Sequence, residues 1–229
     1  MNQINTLSLN RLGKTAAVLT LIIAVLAIFS MMSISNLVVS GDAAATTANI
    51  RASEGSFRLG MLSDALIFLL EIVLIGVLYA LLKPVNRTLS LTAAFARLAM
   101  NVLQGLNLIN YFIVLLLLGG AGTLAALDGG LRQSMVMLSL DIHAYVILIW
   151  GLFFGLHLLL LGYLVYKSGY IPKAIGILLV LAGLCYLTQS LGNILLPQFA
   201  GVFTTIGFIS MIELAFPLWL LIKGVKEQG

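Results

Sequence analysis

The chain reads as an all-α integral membrane bundle of six transmembrane helices with both termini cytoplasmic, and three observations predict it. It is 61% hydrophobic and only 9% charged over 229 residues, where soluble domains carry roughly 25% charged residues. Six apolar runs each approach or exceed the roughly 20 residues a bilayer-spanning helix needs. The basic residues between those runs segregate. Arg11, Lys14, Lys83, Arg87, Lys167, Lys173, Lys223 and Lys226 fall on one side, and Arg51, Arg58 and Arg132 on the other. The positive-inside rule reads the richer side as cytoplasmic. So little length remains outside the runs that residues 1–229 make a single membrane domain. The net charge of +4 belongs to helix ends, not to a nucleic-acid footprint, so the expected partner is the lipid bilayer. Cys185 is the only cysteine, which precludes an intrachain disulfide.

The first run, about 15–39, follows Arg11 and Lys14. It is too long for the usual core of a cleaved signal, so it is read as a retained helix. In the loop SGDAAATTANIRASEGSFR, Asp42 caps a short helix through Ala52, and Gly55 is expected to end it. Ser56 then stands where the next helix needs an N-cap, and Glu54 and Arg58, four apart, are spaced to pair.

The second helix, about 59–82, carries Asp64 and Glu71, which lie within about 20° of each other on a helical wheel. Lys83 and Pro84 close it. The third, about 89–118, sets Arg97, Asn101, Gln104 and Tyr111 within about 40°. A single long helix is preferred to an interfacial helix over 88–100 followed by a shorter span. The loop from Gly119 to Gln133 is glycine-rich but lacks the Lys-Ser/Thr and the strand of a phosphate loop.

The fourth helix, about 135–166, exceeds a perpendicular span and presents Asp141, His143, Trp150 and His157. Its His143, Trp150 and His157 share one face. Gly151, Gly155 and Gly162 lie nearly opposite and suit close approach of another helix, including that of a second copy in a homo-oligomer. Tyr163, Tyr166 and Tyr170 are read as interfacial aromatic anchors. The fifth helix, about 174–196, bears Tyr186, Gln189 and Asn193. The sixth, about 201–222, bears Glu213 four residues before Pro217, which cannot donate to the Glu213 carbonyl.

The stretches GDAAATTANIRASEGSFRLGMLSDAL, KPVNRTLSLTAAFARL and HLLLLGYLVYKSGYIPKAIGILLVLAGLCYL resemble the bacterial domain-of-unknown-function 4386 family from the first helix through the fifth. The resemblance implies a multi-pass protein of the bacterial cell (inner) membrane and supplies no chemistry. It makes Asp42, Glu54, Arg58, Asp64, Arg97, His157 and Gly162 candidates for a shared role.

Counting 1.5 Å per residue from the cytoplasmic helix ends, Arg97, His157 and Glu213 lie about 13–15 Å deep and Glu71 about 17 Å. Asn101 follows at about 18 Å, and Gln104 and Gln189 at about 24 Å. Charges are costly at mid-bilayer, so these side chains are expected to converge on a polar centre. Arg97 would stand against Glu71 or Glu213, and His157 would titrate or bridge two carboxyls. Such a centre would bind or move a small solute or proton. Alternatively it would only hold the bundle together, in a structural or partner-binding protein. A third reading is an intramembrane metal enzyme using Glu71, His157 and Glu213. No HExxH or G-x-S-x-G motif supports it, and a non-enzymatic protein without cofactor is preferred. Glu54, Arg58, Asp64, Asp141 and His143 form a second set of candidates toward the outer side. A solute path through the centre requires a water-accessible cavity reaching Glu71.

Overall fold

The computed structural model describes residues 3–120, 124 and 126–225, with side chains from residue 9 onward. Lys226 and residues 121–123 and 125 of the glycine-rich loop lie outside them. Every element in the described residues is helical. In chain order these are α1 (Gln3–Ser35), α2 (Ala43–Ala52), α3 (Glu54–Leu82), α4 (Arg87–Gly119), α5 (Gly129–Ser168) and α6 (Lys173–Leu195). After a short 3₁₀ turn come α7 (Ala200–Ile209), a second 3₁₀ turn (Ser210–Leu214) and α8 (Ala215–Ile222). Among the described residues, six stretches are long and apolar enough to cross a membrane: Leu9–Ser35, α3, α4, α5, α6 and Pro197–Ile222. Their large apolar side chains stay exposed, among them Leu69, Phe95, Leu116 and Leu195. In water such a surface would be an aggregation liability, and in a bilayer it is the lipid contact.

Several boundaries differ from the sequence reading, each for a local reason. Asp42 does cap α2, its Oδ1 accepting from the Ala45 N–H at 2.8 Å. Gly55 does not end that helix, however, because Ser53 is its C-cap and α3 starts at Glu54. Ser56 is therefore inside α3, and its hydroxyl donates to the Ser33 carbonyl instead of capping. The Asn86 side chain accepts from Leu89 N–H, so α4 starts at Arg87 and runs unbroken for 33 residues. Asp128 accepts from the Gly130 and Leu131 N–H groups. That cap lets α5 start at Gly129, within what the sequence suggests is loop, and reach 40 residues. The sixth span is broken, because Pro217 leaves the Glu213 carbonyl without its helical donor and the backbone tightens into the 3₁₀ turn.

The described chain forms two compact units, to which α1, α3, α4 and α5 each contribute a segment. Unit 1 comprises Met1–Ile22, Leu70–Val102 and Leu148–Gly229. Unit 2 comprises Ile23–Leu69 and Leu103–Ile147.

Within unit 1, α5 and α6 approach through paired glycines. A Cβ on Gly162 would lie 2.7 Å from the Gly176 carbonyl oxygen, and one on Gly155 would lie 3.0 Å from that of Gly183. Gly151 faces the Ser190 hydroxyl in the same seam. The Gly151, Gly155 and Gly162 face is thus covered by this chain's own α6. A second copy expected on that face would meet α6 there.

Tyr170 is also corrected. It is 3% exposed, and its hydroxyl donates to the Leu81 carbonyl at 2.7 Å, satisfying one of the unpaired carbonyls at the end of α3. Tyr163 and Tyr166 remain exposed, beneath the Lys167 and Lys173 ammonium groups. Burial pushes the Tyr170 phenol above its ordinary range, so the hydroxyl stays protonated. Tyr170→Phe should cost about 1 kcal/mol in an unfolding titration at neutral pH. Because the folded-state value is the raised one, the wild-type advantage is full below about pH 10 and narrows above it. An advantage unchanged at higher pH would contradict this account of the bond.

Unit 2 has its own apolar core, which includes Ile34, Ile50, Phe57, Met61, Val114 and Val136.

Candidate functional site

Two clusters of buried polar side chains result, one in each unit. In unit 1, Arg97 of α4 meets Glu71 of α3. Its Nε donates to Glu71 Oε2 at 2.6 Å and its Nη2 to Oε1 at 2.8 Å, with the two residues 6% and 3% exposed. Two parallel charge-assisted bonds are the strongest arrangement this pair can make. The third guanidinium nitrogen, Nη1, lies 3.1 Å from His157 Nε2, while His157 Nδ1 lies 2.8 Å from the Ala93 carbonyl oxygen. Arginine can only donate and a carbonyl can only accept, which assigns His157 the neutral Nδ1–H tautomer. Phe154 lies under the guanidinium, 5.4 Å from the ring centroid, and contacts Trp150 and Tyr186. Tyr186 donates to Glu213 Oε1 at 3.2 Å, and Glu213 lies within electrostatic reach of Arg97 and Glu71.

Glu71, Arg97, His157 and Glu213 therefore converge, with Arg97 paired to Glu71. His157 does not bridge carboxyls, since it stands between the guanidinium and a backbone carbonyl. Among the described residues, Glu71, His157 and Glu213 are not placed to share a metal ion. A guanidinium sits against both Glu71 and His157, and among the described residues no three His, Cys, Asp or Glu side chains are placed to share an ion. Beside Arg97 and His157 is a pocket of about 10 Å³, room for about one water molecule. Asn101 is buried in the same unit. The Gln189 side chain packs against Gly207, and its backbone carbonyl accepts from the Asn193 amide.

Unit 2 holds a cavity of about 530 Å³ lined by Ser30, Asp64, Gln104, Tyr111, Asp141 and His143, together with apolar side chains such as Ile34 and Leu140. Gln104 thus belongs here and not with Glu71. Tyr111 and His143 are stacked, ring centroids 4.1 Å apart, with the phenol oxygen 2.8 Å from His143 Nε2. The Asn107 amide donates to the His143 carbonyl. Asp64 is 9% exposed and has the Ser30 hydroxyl as its hydrogen-bonding neighbour. His143 Nδ1 and Gln104 Oε1 are buried without a hydrogen-bond partner among the described residues.

Glu54 and Arg58 pair at 2.6 Å on the exposed side of α3, away from that lining. Sequence reasoning did not assign Ser30 to the cavity or Tyr186 to Glu213. A serine in an apolar run, beside a helix bearing an acid, is the signal that could have found Ser30.

The class these features define is a multi-pass, all-α membrane protein with ionisable side chains held inside the bundle. The family model for the domain of unknown function DUF4386 matches residues 15–224, and the chain belongs to that family. A protein of Archaeoglobus fulgidus named only as uncharacterized is 45% identical over 76 residues, which is 33% of this chain and 44% of the relative. The chain thus spans less than half the length of that relative. No solved structure matches the chain.

Proposed function

We propose that this protein binds a small solute in the unit 2 cavity, and that the Glu71–Arg97–His157 cluster is scaffolding. The cavity carries the reading. Its volume of about 530 Å³ falls within the roughly 300–1,000 Å³ of ligand pockets, and it pairs an apolar lining with a few convergent polar groups. Around Arg97 in unit 1 the reverse holds: every nitrogen of its guanidinium has a partner, and the adjoining pocket has space for about one water. That arrangement favours interhelical glue over a solute path past Glu71.

Even crossing number and the lysine and arginine distribution support a topology with both ends cytoplasmic. The Val225 N–H donates to the Asn10 side chain at 3.1 Å, which brings the two described ends together. Residence in a bacterial cell membrane rests on the family resemblance, and the relative above is archaeal.

The test is a thermal-shift screen of small solutes of every charge type against the purified chain and Ala144→Trp, which fills space from the exposed cavity wall. Stabilising solutes should raise Tm by a few degrees in the wild type and lose that effect in the variant. Stabilisation that survives Ala144→Trp, or no stabilising solute at all, defeats the reading.

A further inference from the structure

The charges lining the cavity in unit 2 point to the class of solute it takes. We infer that it accepts an organic cation, a primary or secondary ammonium group carried on a small apolar body; the inference rests on the cavity reading above.

Asp64 and Asp141 line the space, and among the described residues no lysine or arginine does. Among the described residues, Asp64 is buried with the Ser30 hydroxyl as its hydrogen-bonding neighbour, and the two ion pairs use other side chains. A buried carboxylate without a counter-charge is strongly unfavourable. An ammonium ion supplies that charge together with N–H donors.

Anions face two carboxyls. A neutral solute brings Asp64 no counter-charge. A bare metal ion needs donors converging on one point, and among the described residues Asp64, Asp141 and His143 do not converge closely enough to share one. Met31, Ile34, Leu140 and Ile147 supply the wall against which an apolar body is removed from water. The same ammonium chemistry exists on free amines and on the headgroup of phosphatidylethanolamine.

Calorimetric titration of the full chain in phosphatidylcholine nanodiscs, with empty discs as reference, compares benzylamine, benzyl alcohol and benzoate. These share size and ring and differ in charge. Benzylamine should bind at least tenfold tighter than either other probe, and Asp64→Asn should weaken it at least tenfold. Asp141→Asn, at the exposed side of the lining, should weaken it by a smaller factor in the same direction. Repeating the titration in discs containing phosphatidylethanolamine separates the sources. Loss of benzylamine affinity there identifies the lipid headgroup as occupant, and unchanged affinity identifies a free amine. Benzyl alcohol or benzoate binding as tightly as benzylamine overturns the cationic class and leaves the cavity reading standing. If none of the three binds, the cavity reading falls, and the cationic class with it.

Discussion

Glu71→Leu is expected to destabilise the protein by about 3–5 kcal/mol, the cost of leaving one member of a buried ion pair without its partner. Arg97 is 6% exposed, and two of its three donor nitrogens point at Glu71. With leucine in place, the guanidinium keeps the His157 ring nitrogen, a neutral acceptor, together with the Phe154 ring and the more distant charge of Glu213. Glu71→Gln retains one acceptor oxygen and should lose less. The decisive variant is Glu71→Leu with Arg97→Met, because replacing both ions by apolar groups of similar volume is often neutral or stabilising. If the cluster is scaffold, the double variant should recover most of the stability lost and keep solute binding in the unit 2 cavity. Unfolding titrations in mixed micelles measure the first quantity, and the thermal-shift screen measures the second. A stable double variant that no longer binds any solute would return Glu71 and Arg97 to a functional role. A Glu71→Leu protein within about 1 kcal/mol of wild type would show that the pair contributes little.

The six spans were legible because hydropathy and length alone decide them, whatever each helix packs against. Local chemistry was legible too, in the Asp42 cap and the Glu54–Arg58 pair, since both depend on residues a few positions apart. The meeting of Glu71, Arg97, His157 and Glu213 followed from the expense of charge in oil, which leaves interior partners as the remedy. Which partner each takes did not follow. A helical wheel places Arg97, Gln104 and Tyr111 on one stripe, yet Arg97 is ion-paired in unit 1 while Gln104 and Tyr111 line the cavity of unit 2. The cavity itself is empty space left by packing, and no residue pattern encodes a volume. Tyr170 shows the same gap: the sequence shows an aromatic residue near a helix end, and only the fold brings the Leu81 carbonyl to its hydroxyl.

The small residues of α5 illustrate the difference between recognising a face and knowing what covers it, and they carry the second large effect. In an isolated helix, alanine is favoured over glycine by about 0.8–1.0 kcal/mol. Gly176→Ala should nonetheless cost about 1–3 kcal/mol, the usual range for overpacking. Its new Cβ would lie 2.6 Å from the Gly162 carbonyl oxygen and 2.6 Å from the Tyr166 nitrogen, and both are backbone atoms that move only if α5 and α6 separate. Gly76→Ala is the control, because nothing lies within 4 Å of a Cβ there and the site is mid-helix in α3; it should follow the helix scale and stabilise. Opposite signs for one chemical change, read in the same unfolding titration, isolate the interhelical contact from intrinsic propensity. Gly162→Ala touches the same contact from the other side, so combining it with Gly176→Ala should cost less than the sum of the two. Because the seam lies within one chain, size-exclusion profiles should stay those of wild type while stability falls. A Gly176→Ala protein that gains stability as Gly76→Ala does would mean that the two helices do not meet through these glycines.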